Sequence, residues 1–113
     1  MEQRTLPRKQ LIFYPAVYKK GSKKILGRVV DITTEGMRIL SETPMATGTS
    51  HKLRMRLPRY LPETEKVTFT ADAVWSGSDV NPDYQCTGLR ITDISERDVR
   101  RIEYLIGRSS FQN

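Results

Sequence analysis

The sequence predicts a mainly β fold, a six-stranded antiparallel β-barrel followed by a C-terminal α-helix. Short segments with alternating apolar and polar residues, separated by turn-forming residues, are typical of half-buried antiparallel strands. Six such segments occur in a chain of 113 residues, and closure into a barrel would pair their edges without a second layer. The last segment changes to the period of a helix, which places the helix at the end.

Two segments show the strand alternation most clearly. In the first, VTFTADAVW, every second residue is apolar and the residues between are mostly polar, so one face is expected in the core and the other in solvent. The predicted core residues of this segment are Val67, Phe69, Ala71, Ala73 and Trp75. In the second, HKLRMRL, the apolar residues are Leu53, Met55 and Leu57, and they alternate with Lys52, Arg54 and Arg56.

Four further strands complete the predicted barrel. A turn of lysine, glycine and serine joins the first two of them, while Gly77, Asn81 and Pro82 indicate a loop before the last. The predicted ranges are Leu11 to Tyr18, Ile25 to Asp31, Met37 to Leu40 and Tyr84 to Ile91.

The C-terminal segment has the features of an amphipathic helix from Ser95 to Arg108. Ser95, with Asp98 three residues later, resembles a capping box. Val99, Ile102 and Ile106 then lie on one helical stripe, which is expected to pack on the barrel or on a partner because an isolated helix of this length is marginal in water. Gly107 is expected to help end the helix.

Composition restricts the compartment and the class of partner. The net charge of +6 and the pI near 9.7 favour anionic partners such as nucleic acid, nucleotides or acidic lipid. The first residues lack the apolar region of a signal peptide, and the stretch LIFYPAVY is too short to cross a bilayer, which predicts a cytoplasmic protein without membrane insertion. The single cysteine, Cys86, lies in an apolar alternation and is expected to be a buried, reduced thiol.

The residues that carry enzymatic chemistry are scarce in this chain. His51 is the only histidine, and its position at the start of a strand favours a solvated side chain over a base or a ligand. The sequence contains no Cys/His cluster, no P-loop and no G-x-S-x-G elbow. We therefore expect no catalytic residues, no metal site and no enzymatic cofactor.

Two short motifs remain unexplained by packing. Arg4 and Arg8 lie in a proline-bearing N-terminal arm, where two guanidinium groups could reach a ligand. In the stretch DITTEG, Asp31 ends the second predicted strand, Gly36 precedes the third and Thr33 lies between them. That stretch alone is equally well explained as a tight turn, because Asp and Thr bond to local backbone and Gly permits unusual dihedrals or a close backbone approach.

Taken together, the motifs resemble the signature of the PilZ domain family. Its pattern is Arg-x-x-x-Arg in an N-terminal arm and Asp/Asn-x-Ser-x-x-Gly after a strand pair, and here Arg4, Arg8, Asp31, Thr33 and Gly36 occupy those positions, with YQCTGLRI near the end. The family fold is a six-stranded antiparallel barrel with a C-terminal helix, and many members bind the bacterial second messenger cyclic di-GMP. Thr33 departs from the usual serine but keeps the hydroxyl, so binding is expected to persist.

The resemblance implies roles for these residues. Arg4 and Arg8 would contact the phosphates and a guanine, and Asp31, Thr33 and Gly36 would seat a guanine on the barrel. The chemistry agrees, because a guanidinium can fork onto phosphate or onto guanine O6 and N7, and a carboxylate can accept from guanine N1–H and N2–H₂. In the family, the residue before the first arginine is linked to whether one ligand or a stacked pair binds. That residue is Gln3 here, which does not decide the number of ligands.

The sequence thus predicts a single PilZ-like domain over 1–113, with a ligand-binding arm at 1–10, a barrel at 11–92 and a helix at 95–108. Its predicted function is that of a non-enzymatic cytoplasmic receptor that binds cyclic di-GMP and relays it to an unidentified protein partner in motility, adhesion or exopolysaccharide control. Two alternatives stay open. One is a PilZ-type adaptor that does not bind the nucleotide. The other is a basic barrel that binds single-stranded nucleic acid through Arg54, Arg56 and Arg59, with Tyr60 as a stacking site.

Overall fold

A computed structural model describes residues 14–57 and 66–110, with the side chains at 108–110 left out of the description. These residues form six strands and one helix in the predicted order, which confirms the mainly β fold class. The elements are β1 Ala16–Lys19, β2 Ile25–Ile32, β3 Gly36–Ser41, β4 Ser50–Arg56, β5 Lys66–Ser78, β6 Gln85–Ile94 and α1 Glu96–Ser110.

The six strands close into a barrel in the order β1-β2-β3-β6-β5-β4. Every pairing is antiparallel, and β1 closes the barrel by pairing with β4, with Val17 opposite Met55 and Lys19 opposite Leu53. Each strand therefore has a neighbour on both sides, as the prediction of a barrel requires.

Alternate residues of the strands fill the interior of the barrel. Val17, Val29, Ile39, Leu53 and Met55 are each fully buried, and they belong to one apolar cluster. The helix adds Ile102 and Leu105 to the same cluster and contacts β5. The described part of the chain thus has a common apolar interior, with α1 docked on the barrel, which is one of the two alternatives expected for its apolar stripe.

The start of α1 confirms the Ser95 half of the predicted capping box. The Ser95 hydroxyl accepts a hydrogen bond from the Asp98 backbone N–H at 3.1 Å, which satisfies one of the free amides of the first turn. Asp98 is itself buried, where it accepts from the Thr68 N–H at 3.3 Å and from the Arg101 guanidinium at 2.8 Å. This carboxylate therefore joins the helix start to β5.

Two predictions about strand β5 and one about α1 are wrong. Trp75 is 44% exposed, although the alternation places it in the core, because the register shifts between Ala73 and Trp75 and the bulge turns the Trp75 side chain outward. Gly77 lies within β5 opposite Cys86 and not in a loop. The helix continues past Gly107 to Ser110, since a helical glycine costs only about 1 kcal/mol relative to alanine.

The boundaries of the first and the last strand differ from those predicted. The first described strand begins at Ala16, and the predicted residues 11–13 lie outside the described ranges. The last strand continues to Ile94, three residues beyond the predicted end. Within the described ranges, no helix has the length and apolar content needed to cross a bilayer.

Candidate functional site

A surface pocket of about 370 Å³ lies where the end of β2 and the start of β3 approach β6 and the bulged part of β5. Three of the five residues predicted to bind a ligand line it, namely Asp31, Thr33 and Gly36. The other two, Arg4 and Arg8, lie outside the described residues. The remaining lining residues are Ile32, Glu35, Met37, Arg38, Val74, Trp75, Gly88, Leu89 and Arg90.

Asp31 presents its carboxylate on the outer surface of the barrel. It lies opposite Arg38 in the β2–β3 register, after a shift in that register between Val29 and Asp31. The Arg38 Nε is 3.4 Å from the Asp31 Oδ2, and both side chains are a little over 40% exposed. The carboxylate is thus oriented by a neighbouring guanidinium yet open to solvent, so an incoming donor can reach it.

Thr33 shapes the turn between β2 and β3. Its hydroxyl accepts from the backbone N–H of Glu35 at 3.1 Å and from that of Gly36 at 3.2 Å. The Thr33 N–H donates to the Gly36 carbonyl at 2.8 Å. The local-turn explanation of this hydroxyl is therefore correct, and the turn brings Asp31 and Gly36 to the same edge of the pocket.

Gly36 is required by a close backbone approach between β3 and β6. A Cβ at this position would collide with the Leu89 carbonyl oxygen, which is backbone and has little freedom to move. The left-handed region is not involved, since the described glycines with positive φ are Gly21 and Gly48. Gly36 therefore contributes backbone alone to the lining of the pocket, and the Leu89 carbonyl fills the space where its Cβ would lie.

Trp75 is the aromatic residue of the pocket. Its indole lies over Gly88 on the neighbouring strand and occupies the space that a Cβ at Gly88 would fill. A tryptophan is seldom left this exposed, because burying so large a side chain contributes strongly to the stability of a core. Strict alternation assigns Trp75 to the interior, so the sequence alone does not indicate it as a site residue.

The charges of the pocket nearly cancel among the described residues. Asp31 and Glu35 are balanced by Arg38 and Arg90. Arg90 is also shared with Asp72, whose Oδ2 lies 3.5 Å from the Arg90 Nη2. A doubly negative ligand would therefore need further cations, and Arg4 and Arg8 are the candidates from the sequence.

Two side chains with a shifted pKa lie outside this pocket. Burial lowers the pKa of His51, and Lys19 lowers it further, while Asp72 acts in the opposite direction. Burial raises the pKa of the Cys86 thiol. Arg38 acts to lower this pKa, and Asp79 acts to raise it. Cys86 is buried, as predicted. Among the described residues, no group of three or more His, Cys, Asp or Glu side chains is arranged to hold a metal ion.

Comparison with known families agrees with the fold and with the motifs. The model of the PilZ domain matches residues 2–108. The chain therefore belongs to the PilZ domain family, as its sequence predicts. This family consists of cyclic di-GMP receptors and adaptors.

Solved structures of PilZ proteins are similar in fold. The Bacillus subtilis inhibitor of motility MotI/DgrA has a TM-score of 0.71 and 19% identity, over 95% of this chain and 52% of that one. The PilZ domain of Escherichia coli YcgR, solved with c-di-GMP, has a TM-score of 0.66 and 16% identity, over 96% of this chain and 92% of that one. A search of curated protein sequences finds no significant match.

A third similar structure is a pathogenic protein from Xanthomonas campestris with a tetrameric PilZ domain self-assembled through a helical bundle. It has a TM-score of 0.56 and 23% identity, over 79% of this chain and 48% of that one. The present chain thus spans about half the length of MotI/DgrA and of the Xanthomonas protein. At these identities the similarity concerns the fold.

Proposed function

We propose that this protein is a cyclic di-GMP receptor that binds the ligand at the Asp31 pocket and relays binding to a protein partner. The observation that carries the proposal is the meeting of three features in one pocket. An accessible carboxylate, the backbone of Gly36 and an exposed indole at Trp75 line the same depression. Together they match the edge and the face of a guanine.

The carboxylate of Asp31 suits the Watson–Crick edge of guanine. This edge presents two donors, N1–H and N2–H₂, and a carboxylate is an acceptor with two oxygens. Arg38 contacts Oδ2 of Asp31, so the carboxylate is oriented before ligand binds. In this proposal Thr33 and Gly36 act by holding the turn in shape, and Asp31 makes the contact that selects guanine.

The indole of Trp75 would bind the face of the base. Stacking of a base on an aromatic side chain is worth about 1–3 kcal/mol, and Trp75 keeps 44% of its surface exposed for it. The bulge in β5 turns the indole outward, and the absence of a side chain at Gly88 lets it lie flat against β6. This adds Trp75 and Gly88 to the proposed site.

Arg4 and Arg8 are proposed to bind the phosphates from an N-terminal arm at 1–10. The described chain enters the barrel beside β2, where the Pro15 carbonyl accepts from the Val29 N–H at 2.9 Å. Arg8 precedes Tyr14 by six residues, which span at most about 20 Å. Since Asp31 follows Val29 by two residues on the same strand, the guanidinium groups are within covalent reach of the pocket.

The wider organisation is proposed on the same basis. One PilZ-like domain would comprise the arm, the barrel at 11–92 and the helix at 95–108, and would act in the cytoplasm without enzymatic chemistry. Ligand contacts by Arg4 and Arg8 would fix the arm against the barrel, and the partner would recognise the altered surface. Ordering costs about 1–2 kcal/mol per fixed residue, so several charge-assisted contacts are needed to offset it.

Titration of the full chain with cyclic di-GMP tests the proposal. Trp75 is the only tryptophan, so its fluorescence should change saturably in parallel with the heat measured by calorimetry. Trp75→Ala should weaken binding about tenfold, and Trp75→Phe should weaken it less because a ring remains to stack. Tyr84→Ala is the matched control, since Tyr84 is an exposed aromatic residue that does not line the pocket. Absence of binding by the wild type would instead support an adaptor that does not bind the nucleotide.

A further inference from the structure

The excess positive charge of this protein is concentrated away from the Asp31 pocket. Residues 14–30 and 50–57 contain eight of the 19 Lys and Arg residues and none of the 13 Asp and Glu residues. The rest of the chain carries the other 11 basic residues against all 13 acidic ones. The net charge of +6 therefore originates in these two segments.

The fold gathers these eight residues on one side of the barrel. The two segments form β1, β2 and β4, which are consecutive around the barrel in the order β4-β1-β2. Seven of the eight side chains are exposed, and Arg54 is half-buried. We call this surface the basic face. Its members are Lys19, Lys20, Lys23, Lys24, Arg28, Lys52, Arg54 and Arg56.

The most prominent part of the basic face is the hairpin between β1 and β2, with four lysines in six residues. Gly21, at the tip of the hairpin, adopts a φ of +86°. The tip protrudes, because nothing lies within 4 Å of a Cβ built at Gly21. The turn is held by the Ser22 N–H, which donates to the Lys19 carbonyl at 2.9 Å, and by Arg54, which donates to the Ser22 carbonyl at 3.1 Å. The lysines are thus presented on a defined turn.

The hairpin and the Asp31 pocket lie at opposite ends of one strand. Lys24 precedes β2 and Asp31 is near its end, which separates them by roughly 20 Å at the rise of a β-strand. A dinucleotide in the pocket would leave the hairpin uncovered. The basic face consequently needs an anionic partner of its own if its charge has a binding role.

The chemistry of the basic face favours a lipid bilayer over nucleic acid. Of the rings on its strands, Tyr18 lies under the Arg54 guanidinium, 5.9 Å from the ring centroid. His51 is half-buried, with its Nε2 2.6 Å from the Thr49 hydroxyl, so neither ring is presented as an open stacking platform for a base. Ile25, next to Lys24, is 42% exposed. Protruding lysines beside an exposed apolar side chain suit a headgroup layer, where the charges meet anionic lipids and the apolar group enters the interface.

We propose that the basic face is a docking surface for a bilayer rich in anionic lipids, with the β1–β2 hairpin as its principal contact. Binding is peripheral and electrostatic, and each lysine near the surface contributes through the negative potential of the leaflet. The ligand pocket then faces away from the membrane. This inference does not depend on the identity of the ligand in the Asp31 pocket.

Sedimentation of the full chain with vesicles at physiological ionic strength tests the proposal. The protein should bind vesicles of equimolar phosphatidylcholine and phosphatidylglycerol and should not bind phosphatidylcholine alone. Lys20→Gln with Lys23→Gln should lower the partition coefficient at least about tenfold. The matched control is Arg97→Gln with Arg100→Gln, which removes the same charge from exposed positions of α1 and should change binding by less than about twofold.

Several outcomes would overturn the proposal. Equal losses in the two double variants would mean that net charge alone drives binding, and equal binding to both kinds of vesicle would exclude an electrostatic origin. Failure to bind the anionic vesicles would also reject it. Hairpin-dependent binding to a single-stranded oligonucleotide or to poly-glutamate, without binding to anionic vesicles, would assign the basic face to nucleic acid or to an acidic protein.

Discussion

The indole of Trp75 occupies the space above Gly88 that any other residue at position 88 would fill with its side chain. Two adjacent strands therefore cooperate in placing one ring, since the bulge in β5 turns Trp75 outward and Gly88 on β6 leaves room beneath it. An exposed tryptophan with a fixed orientation is suited to stacking on a planar ligand. Gly88 itself makes no contact with the base in this proposal, but it contributes to base recognition by leaving room for the Trp75 indole.

Gly88→Ala should displace the indole and damage the candidate site. The added methyl group collides with the ring, so we expect a loss of about 1–3 kcal/mol in the free energy of unfolding, as for other overpacked sites. The emission of Trp75 should shift as its contacts change, and cyclic di-GMP affinity should fall. Denaturant unfolding, the emission spectrum and calorimetry measure these three effects.

Gly77→Ala provides the matched control for that substitution. Gly77 lies on β5, two residues beyond Trp75, and nothing lies within 4 Å of a Cβ built there. Its substitution should leave the stability and the affinity nearly unchanged. If both glycine variants behave alike, the position of the Trp75 indole does not depend on Gly88.

Arg4→Ala and Arg8→Ala should each weaken cyclic di-GMP binding at least about tenfold, because each removes a charge-assisted contact to the ligand. Arg97→Ala is the control, since Arg97 and Arg101 repeat the same spacing on α1. Arg101 itself is a poor control because it pairs with the buried Asp98. Equal losses for Arg4 and Arg97 in calorimetric titrations would indicate non-specific attraction and reject the assignment of the arm.

Selectivity between dinucleotides should depend on Asp31. Adenine has an unprotonated N1 and no 2-amino group, so cyclic di-AMP offers the carboxylate no donors on that edge. A site built around a polar contact rejects an analogue that lacks it, because the desolvated group is left unpaired at about 1–3 kcal/mol or more. Competition titration of the wild type should therefore show much weaker binding of cyclic di-AMP.

Substitutions of Asp31 separate selectivity from affinity. Asp31→Ala should lose most of the preference for cyclic di-GMP, whereas Asp31→Asn should keep part of it through its carbonyl oxygen. Arg38→Gln is a second informative variant, since it removes the guanidinium that lies 3.4 Å from the Asp31 carboxylate. It should weaken cyclic di-GMP binding because the carboxylate is then no longer oriented by Arg38. Unchanged affinity in Asp31→Ala would show that this turn does not recognise guanine.

Asp98→Ala should destabilise the fold by about 2–4 kcal/mol. The buried carboxylate accepts from the Thr68 N–H and from Arg101, and its removal leaves a backbone donor and a charge without their partner. Asp98→Asn should cost less because it keeps an acceptor. Glu96→Ala, an exposed acid in the same first turn of α1, should cost less than about 1 kcal/mol, and denaturant unfolding compares the three.

The fold is predictable from the sequence because local patterns and barrel closure agree. Period-two alternation identifies strands such as β4, and the Ser95 hydroxyl marks the start of α1 as the sequence predicts. The bulge at Ala73–Trp75 is not predictable in this way, because it depends on pairing with β6 and leaves no mark on the alternation of β5 itself. Alternation therefore places Trp75 on the wrong side of the sheet.

The same distinction applies to the candidate site. Asp31, Thr33 and Gly36 are close in sequence, so the spacing of a single motif is enough to identify them. Arg38, Trp75 and Gly88 reach the pocket through β3, β5 and β6, and only the strand order brings them together. The lysines of the β1–β2 turn resemble ordinary solvated residues when considered one by one, and they form part of a basic face only because β4 pairs with β1.

Closure of the barrel also limits how other proteins can recognise it. Many peptides bind by adding a strand to an open sheet edge, where main-chain groups supply affinity regardless of sequence. The six described strands all have neighbours on both sides, and such an edge is confined to strand ends such as residues 74–78 of β5, which pair with β6 alone. A partner that covers the closed part of the barrel must therefore recognise outward-facing side chains, and single substitutions on that surface should be able to abolish one interaction while sparing the others.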